Sequence, residues 1–162
     1  MIKTGDRVPS LPVRLVEAGG TSETDTGAIL GKGLVVLFAV PGAFTPTCDT
    51  SHLPGFVANA GKLRAFGVDR IVCAAVNDHH VIRAWAERSD ALGAVDFIAD
   101  PHAAFAEALG LAKDFPDLGR RYARFAMILR DGVVSDLFVQ DVKGVTVSGA
   151  PAILLALQGV SA

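Results

Sequence analysis

The chain predicts an α/β fold with a mixed sheet and flanking helices, on three observations. Short apolar runs alternate with helix-forming stretches through residue 110. The first runs are apolar at consecutive positions, as in parallel strands buried on both faces. Further on, two apolar runs flank an Asp-Gly pair, a hairpin signal that puts antiparallel strands at one side of the sheet.

Each element has its own warrant. Residues 19–27 are polar and turn-rich, so an exposed loop is expected there. Leu34-Val35-Val36-Leu37-Phe38-Ala39-Val40 is bounded by Gly33 and Pro41 and reads as the first buried strand. A helix over 49–66 follows, with Pro54-Gly55 as a kink. Ile71-Val72-Cys73-Ala74-Ala75-Val76 is the second strand, closed by Asn77-Asp78. The helix over 81–92 carries Val81, Trp85 and Leu92 on one side, and Val95-Asp96-Phe97-Ile98-Ala99 is the third strand. Asp100-Pro101 reads as an N-cap with proline at N1, opening a helix that stops at Gly110. Phe125 to Leu129 and Val133 to Val139 flank Arg130-Asp131-Gly132 as the hairpin, and residues 151–157 close the chain as a helix.

Composition narrows the function. The chain has 162 residues, 51% hydrophobic and 20% charged, with formal net charge -2. This suits one domain over 1–162 and excludes disorder. No basic surplus exists to neutralise phosphates, so nucleic acid is not an expected partner. No apolar run approaches the roughly 20 residues of a membrane span. The N-terminal residues lack the apolar core of a signal peptide. Two cysteines, Cys48 and Cys73, are too few for a disulfide scaffold. The expectation is a cytoplasmic protein with reduced thiols.

The informative stretch is Pro41-Gly42-Ala43-Phe44-Thr45-Pro46-Thr47-Cys48, between a buried strand and the next helix. Ligands of open α/β sheets bind beyond the carboxyl ends of strands. Cys48 is expected in the first helical turn, where the helix dipole favours a thiolate. An ordinary thiol is only about 3% ionised at pH 7. Making it mostly thiolate takes roughly 3.4 kcal/mol. A helix terminus supplies about 2 kcal/mol at best. A second positive charge is required, and the sequence offers Arg124. It enters an apolar strand, where an arginine is costly unless it faces an anion.

These residues resemble the peroxidatic motif of peroxiredoxins. The match runs from Pro41-Gly42-Ala43-Phe44-Thr45-Pro46-Thr47-Cys48 through Ser51-His52-Leu53-Pro54-Gly55-Phe56. It continues at Val76-Asn77-Asp78, Ala99-Asp100-Pro101, Arg124-Phe125-Ala126-Met127 and Asp131-Gly132, over about residues 1 to 150. The similar subfamily is the atypical "five" branch, which includes the plant type II enzymes. The resemblance implies a thioredoxin-like three-layer fold and a thiol-dependent peroxidase acting on hydrogen peroxide and alkyl hydroperoxides. No metal, haem or flavin cofactor is implied. By resemblance, Cys48 is the peroxidatic cysteine that becomes sulfenic acid. Thr45 hydrogen-bonds the peroxide, and Arg124 stabilises the thiolate and holds the substrate oxygens. Pro41 shields the thiolate, and backbone N–H groups near Thr47 and Cys48 stabilise developing charge. The resemblance also implies a homodimer.

The recycling route is read from the cysteines. The stretch Gly144-Val145-Thr146-Val147-Ser148 carries no resolving cysteine. Cys73 follows Cys48 by the spacing of type II members, but its mid-strand position lies too far below the strand end for a direct bridge. It is expected to be a core cysteine. An external thiol is then the reductant, glutathione with glutaredoxin or thioredoxin. Several residues have plainer readings: His52 as a structural histidine, His79-His80 as a helix start, Arg120 and Arg121 as solvated loop charges. Two rivals stand beside the peroxidase: a cysteine hydrolase pairing Cys48 with His52, and a redox sensor without turnover.

Overall fold

Val35 to Val40 are buried at every position, and successive side chains of a strand point to opposite faces, so both faces of this strand need cover. The computed structural model describes residues 1–46, 51–140 and 145–161. In it the strands are β1 (Pro12–Glu17), β2 (Gly20–Asp25), β3 (Leu34–Ala39), β4 (Arg70–Ala75), β5 (Asp96–Ala99), β6 (Ala112–Phe115), β7 (Gly119–Tyr122), β8 (Phe125–Arg130) and β9 (Val133–Val139). The helices are α1 (Thr26–Leu30), α2 (Leu53–Ala65), α3 (His79–Arg88), α4 (Ala104–Leu109) and α5 (Ala150–Ser161). Seven strands form one sheet in the order β2-β1-β5-β4-β3-β8-β9, and β6 and β7 pair separately.

The three central strands β5, β4 and β3 are parallel, as their unbroken apolar runs predict. The antiparallel strands sit at both sides of the sheet, not one: β1 and β2 flank β5, while β8 and β9 flank β3. The difference comes from residues 19–27. They are polar because β2 is an edge strand with solvent on most of its surface; only 26–30 leave it to form α1.

Two cores result. Phe38, Val36 and Cys73 pack with Leu53, Phe56 and Leu63 of α2, Trp85 of α3 and Ile153 of α5. Leu37, Val35 and Val72 pack on the other face with Leu30 of α1 and with Phe105 and Leu109 of α4. This is the expected three-layer arrangement of helices, sheet and helices.

Several helix boundaries differ from expectation, each for a local reason. Pro54 does not kink α2; it lies in the first turn, where its missing N–H costs nothing. Ser51 and His52 form a wider π-type turn just before it. On α3 the buried side is Ile82, Trp85 and Ala86, while Leu92 lies beyond the helix end. His79 and His80 do open that helix, capped by Asp78, whose carboxylate accepts from the N–H of His80 and Val81. Asp100 caps α4 from further upstream than the N-cap position. Its Oδ2 accepts from the N–H of Phe105 and Ala106, at 3.1 and 3.2 Å, and from the Tyr122 hydroxyl at 2.8 Å. Gly110 ends α4 in the left-handed conformation, as its position predicts.

Candidate active site

The β3–β8 ladder sets the geometry. Ala39 pairs with Phe125, so Arg124 enters the sheet level with Val40 and one residue from Pro41. Two segments more than 80 residues apart thus meet at the carboxyl end of β3. Pro41 and Gly42 are buried there. Phe44 follows with a φ of 63°, in the left-handed region that non-glycine residues seldom occupy. Its ring is 40% exposed and lies 5.4 Å from the Arg88 guanidinium.

Thr45 is half-buried, and its hydroxyl donates to the Gly42 carbonyl at 2.7 Å. With its proton directed at that carbonyl, the oxygen keeps its lone pairs for a donor such as a peroxide O–H. The Ala43 N–H donates to Asn77 Oδ1 at 2.9 Å, which ties this turn to the end of the neighbouring strand. Cys48 and Thr47 lie outside the described residues.

Arg124 is half-buried, and its Nη1 donates to His52 Nδ1 at 2.7 Å. His52 is 1% exposed, with its ring 5.0 Å from Phe38 and 5.6 Å from Phe56. Its other nitrogen, Nε2, lies 2.8 Å from the Ser148 carbonyl. A carbonyl only accepts and a guanidinium only donates, so the proton of this imidazole sits on Nε2 and Nδ1 is the acceptor. Burial first, and the Arg124 charge second, lower the His52 pKa from 6.5 to about 3, against the opposing pull of the Ser148 carbonyl. The ring is neutral at physiological pH.

That state removes the histidine from the hydrolase rival. A general base for Cys48 needs a vacant lone pair and a pKa near the working pH. His52 has its Nδ1 lone pair on Arg124 and is far too weak a base.

Arg120 and Arg121 part company. Arg120 is exposed and pairs with Glu107 and Asp114, as a solvated charge does. Arg121 is not a solvated loop charge. Its Nη1 donates to the Val76 carbonyl at 3.0 Å and reaches the Pro41 carbonyl at 3.4 Å, while its Nε donates to Leu118. It therefore pins the ends of two parallel strands beside the Pro41 turn. Nothing in the local sequence separates these adjacent arginines; strand alternation in β7 sends them to opposite sides. Gln140 also escapes sequence reading, because a lone glutamine after a strand carries no pattern. Its Oε1 accepts from the N–H of Thr146, Val147 and Ser148.

Cys73 is 0% exposed, between Phe38 and Phe97 in the sheet, which is the core position read from the sequence. Among the described residues no group of acidic, histidine or cysteine side chains is placed to hold a metal ion.

Comparison with known proteins shows the family. Residues 3–154 match the Redoxin family. The chain is 40% identical to Peroxiredoxin-2B of Arabidopsis thaliana, over 96% of this chain and 98% of that one. It is 44% identical to the chloroplastic Peroxiredoxin-2E-2 of Oryza sativa subsp. japonica, over 96% of this chain and 72% of that one. Among solved structures, reduced Prx3 of Vibrio vulnificus in complex with H2O2 matches with a TM-score of 0.93 and 40% identity, covering 99% of both chains. These matches, on a thioredoxin-like sheet, define a thiol-dependent oxidoreductase. The chain belongs to the Redoxin family, among the plant type II peroxiredoxins, which are thiol-dependent peroxidases.

Proposed function

We propose that this chain, as one domain over residues 1–162, reduces hydrogen peroxide and alkyl hydroperoxides through Cys48 and is recycled by an external thiol. The observation that carries the reading is the half-buried Arg124, which enters the sheet level with Val40, one residue before the Pro41 turn that leads to Cys48, and whose guanidinium bonds His52. The Cys48 thiolate attacks the terminal peroxide oxygen. The S–O bond forms as the O–O bond breaks, and the leaving alkoxide takes a proton from water. Thr45 accepts from the peroxide O–H, Arg124 bears the developing negative charge, and Pro41 keeps water off the sulfur. The backbone N–H groups of Thr47 and Cys48 add donors to the same charge.

The product is a sulfenic acid on Cys48. Glutathione condenses with it, releasing water and leaving a mixed disulfide, and a glutaredoxin dithiol reduces that disulfide. Thioredoxin is the other candidate reductant. What supports an external thiol is the burial of Cys73 inside the sheet. We place the protein in the cytoplasm; no described helix is long and apolar enough to cross a membrane. We also propose a homodimer, for which the exposed Phe44 ring beside the site is the supporting feature.

The test is peroxide consumption by Cys48→Ser and Cys73→Ser variants, with glutathione plus glutaredoxin set against thioredoxin. Cys48→Ser is expected to abolish turnover and Cys73→Ser to keep most of it. Equal loss in both variants would overturn the one-cysteine route.

A further inference from the structure

The contacts around Arg124 close into a ring. The Arg124 carbonyl accepts from the Gln140 N–H at 2.8 Å. The Gln140 side chain gathers the 146–148 segment: its Oε1 accepts from the Thr146 and Val147 N–H groups at 3.0 and 3.2 Å and from the Ser148 hydroxyl at 3.0 Å. Its Nε2 donates to the Thr146 hydroxyl at 2.7 Å. Ser148 then accepts from His52 Nε2, and His52 Nδ1 accepts from Arg124 Nη1. Backbone and side chain of one arginine are thus held through a single circuit.

We propose that His52 is a positioning residue for Arg124, fixing the guanidinium from the buried side without cancelling its charge. This rests on the peroxidase reading above. The physical argument is a comparison of possible anchors. A carboxylate would hold the guanidinium more tightly, but its negative charge would compete with the thiolate for the same cation. A neutral imidazole offers one lone pair and no charge, so as an anchor it does not compete with the sulfur and the peroxide for the positive field. Burial among Phe38 and Phe56 keeps the ring from turning, and Ser148 fixes which nitrogen is the acceptor. Gln140 acts one step further back, by holding the Ser148 carbonyl in place.

The test uses His52→Phe, His52→Gln, Gln140→Ala and Arg124→Ala, alone and combined, in the full chain. The readouts are kcat/KM for hydrogen peroxide, its pH profile and thermal melting. His52→Phe keeps the aromatic packing and loses both nitrogens. It is expected to lower kcat/KM at least about tenfold and to move the pH profile to the alkaline side. His52→Gln carries an acceptor and a donor on one amide, and is expected to recover to within about threefold of the parent. In the Arg124→Ala background, His52→Phe is expected to change kcat/KM by less than about twofold, because its effect runs through the guanidinium.

A parent-like kcat/KM and pH profile in His52→Phe would overturn the proposal. Equal defects in the Phe and Gln variants would do so too, as would a His52→Phe loss that simply multiplies with that of Arg124→Ala. If His52→Phe fails to fold, Gln140→Ala carries the test from outside the aromatic cluster. A loss that vanishes in the Arg124→Ala background supports positioning, and an additive loss or none refutes it. Full activity in Arg124→Ala itself would instead sink the site assignment, which keeps the two failures apart.

Discussion

Thr45, His52 and Arg124 each do one thing that their chemistry permits and their surroundings enforce. A threonine hydroxyl can donate or accept; the Gly42 carbonyl takes the proton, and the proposed role of the remaining lone pairs is to accept from the peroxide. Thr45→Val keeps the shape and loses the oxygen, so kcat/KM for hydrogen peroxide is expected to fall by roughly one to two orders of magnitude. Thr45→Ser is expected to retain most activity, since its hydroxyl can make the same bond. A Thr45→Val enzyme as fast as Thr45→Ser would show that the hydroxyl plays no part. The sequence singles out Arg124 because it breaks its local pattern, a charge at the mouth of an apolar strand, and Thr45 only through the resemblance of its motif. His52 breaks no pattern. Its role as partner of Arg124 depends on a contact across 72 residues.

At the level of elements, β8 is the part that decides whether a site exists, since its register sets the height at which Arg124 meets β3. The hairpin turn to β9 holds that register. Asp131 and Gly132 both have positive φ, 50° and 81°, the pairing that a two-residue turn of this hand requires. The turn is pinned to the start of β3: the Asp131 N–H donates to the Gly33 carbonyl at 2.9 Å, and the Gly33 N–H to Asp131 Oδ1 at 2.8 Å. A Cβ on Gly132 would stand 3.3 Å from the Gly31 Cα and 3.0 Å from Arg7 Nη1. Gly132→Ala is therefore expected to cost about 1–2 kcal/mol, from strain at positive φ and crowding together. Thermal melting checks this; an unchanged melting temperature would mean the turn tolerates a side chain. The Asp-Gly pair announced this hairpin in the sequence because its backbone demand is local. The hairpin of β1 and β2 was not legible, because a polar edge strand and an exposed loop share a composition.

The whole molecule carries a consequence of burying His52. Folded, this histidine protonates near 3; unfolded, near 6.5. Between those values the unfolded chain binds more protons, so its contribution to stability is full above pH 6.5 and is lost as pH falls toward 3. The slope from this group reaches at most about 1.4 kcal/mol per pH unit. Melting temperature is expected to fall more steeply for the parent than for His52→Gln between about pH 7 and pH 4. Parallel slopes would mean that the buried ring does not govern acid sensitivity.

By itself, the sequence determined the three parallel strands, the β8–β9 hairpin and the family. Those features rest on unbroken apolar runs, on turn chemistry and on a contiguous motif, all of which are local. Only the tertiary structure decided that antiparallel strands flank the sheet on both sides, that half-buried Arg121 bonds the strand ends while Arg120 is exposed, and that a neutral His52 holds Arg124. These depend on strand register and on burial, which set the partner and the protonation state of a side chain and which no stretch of neighbouring residues encodes.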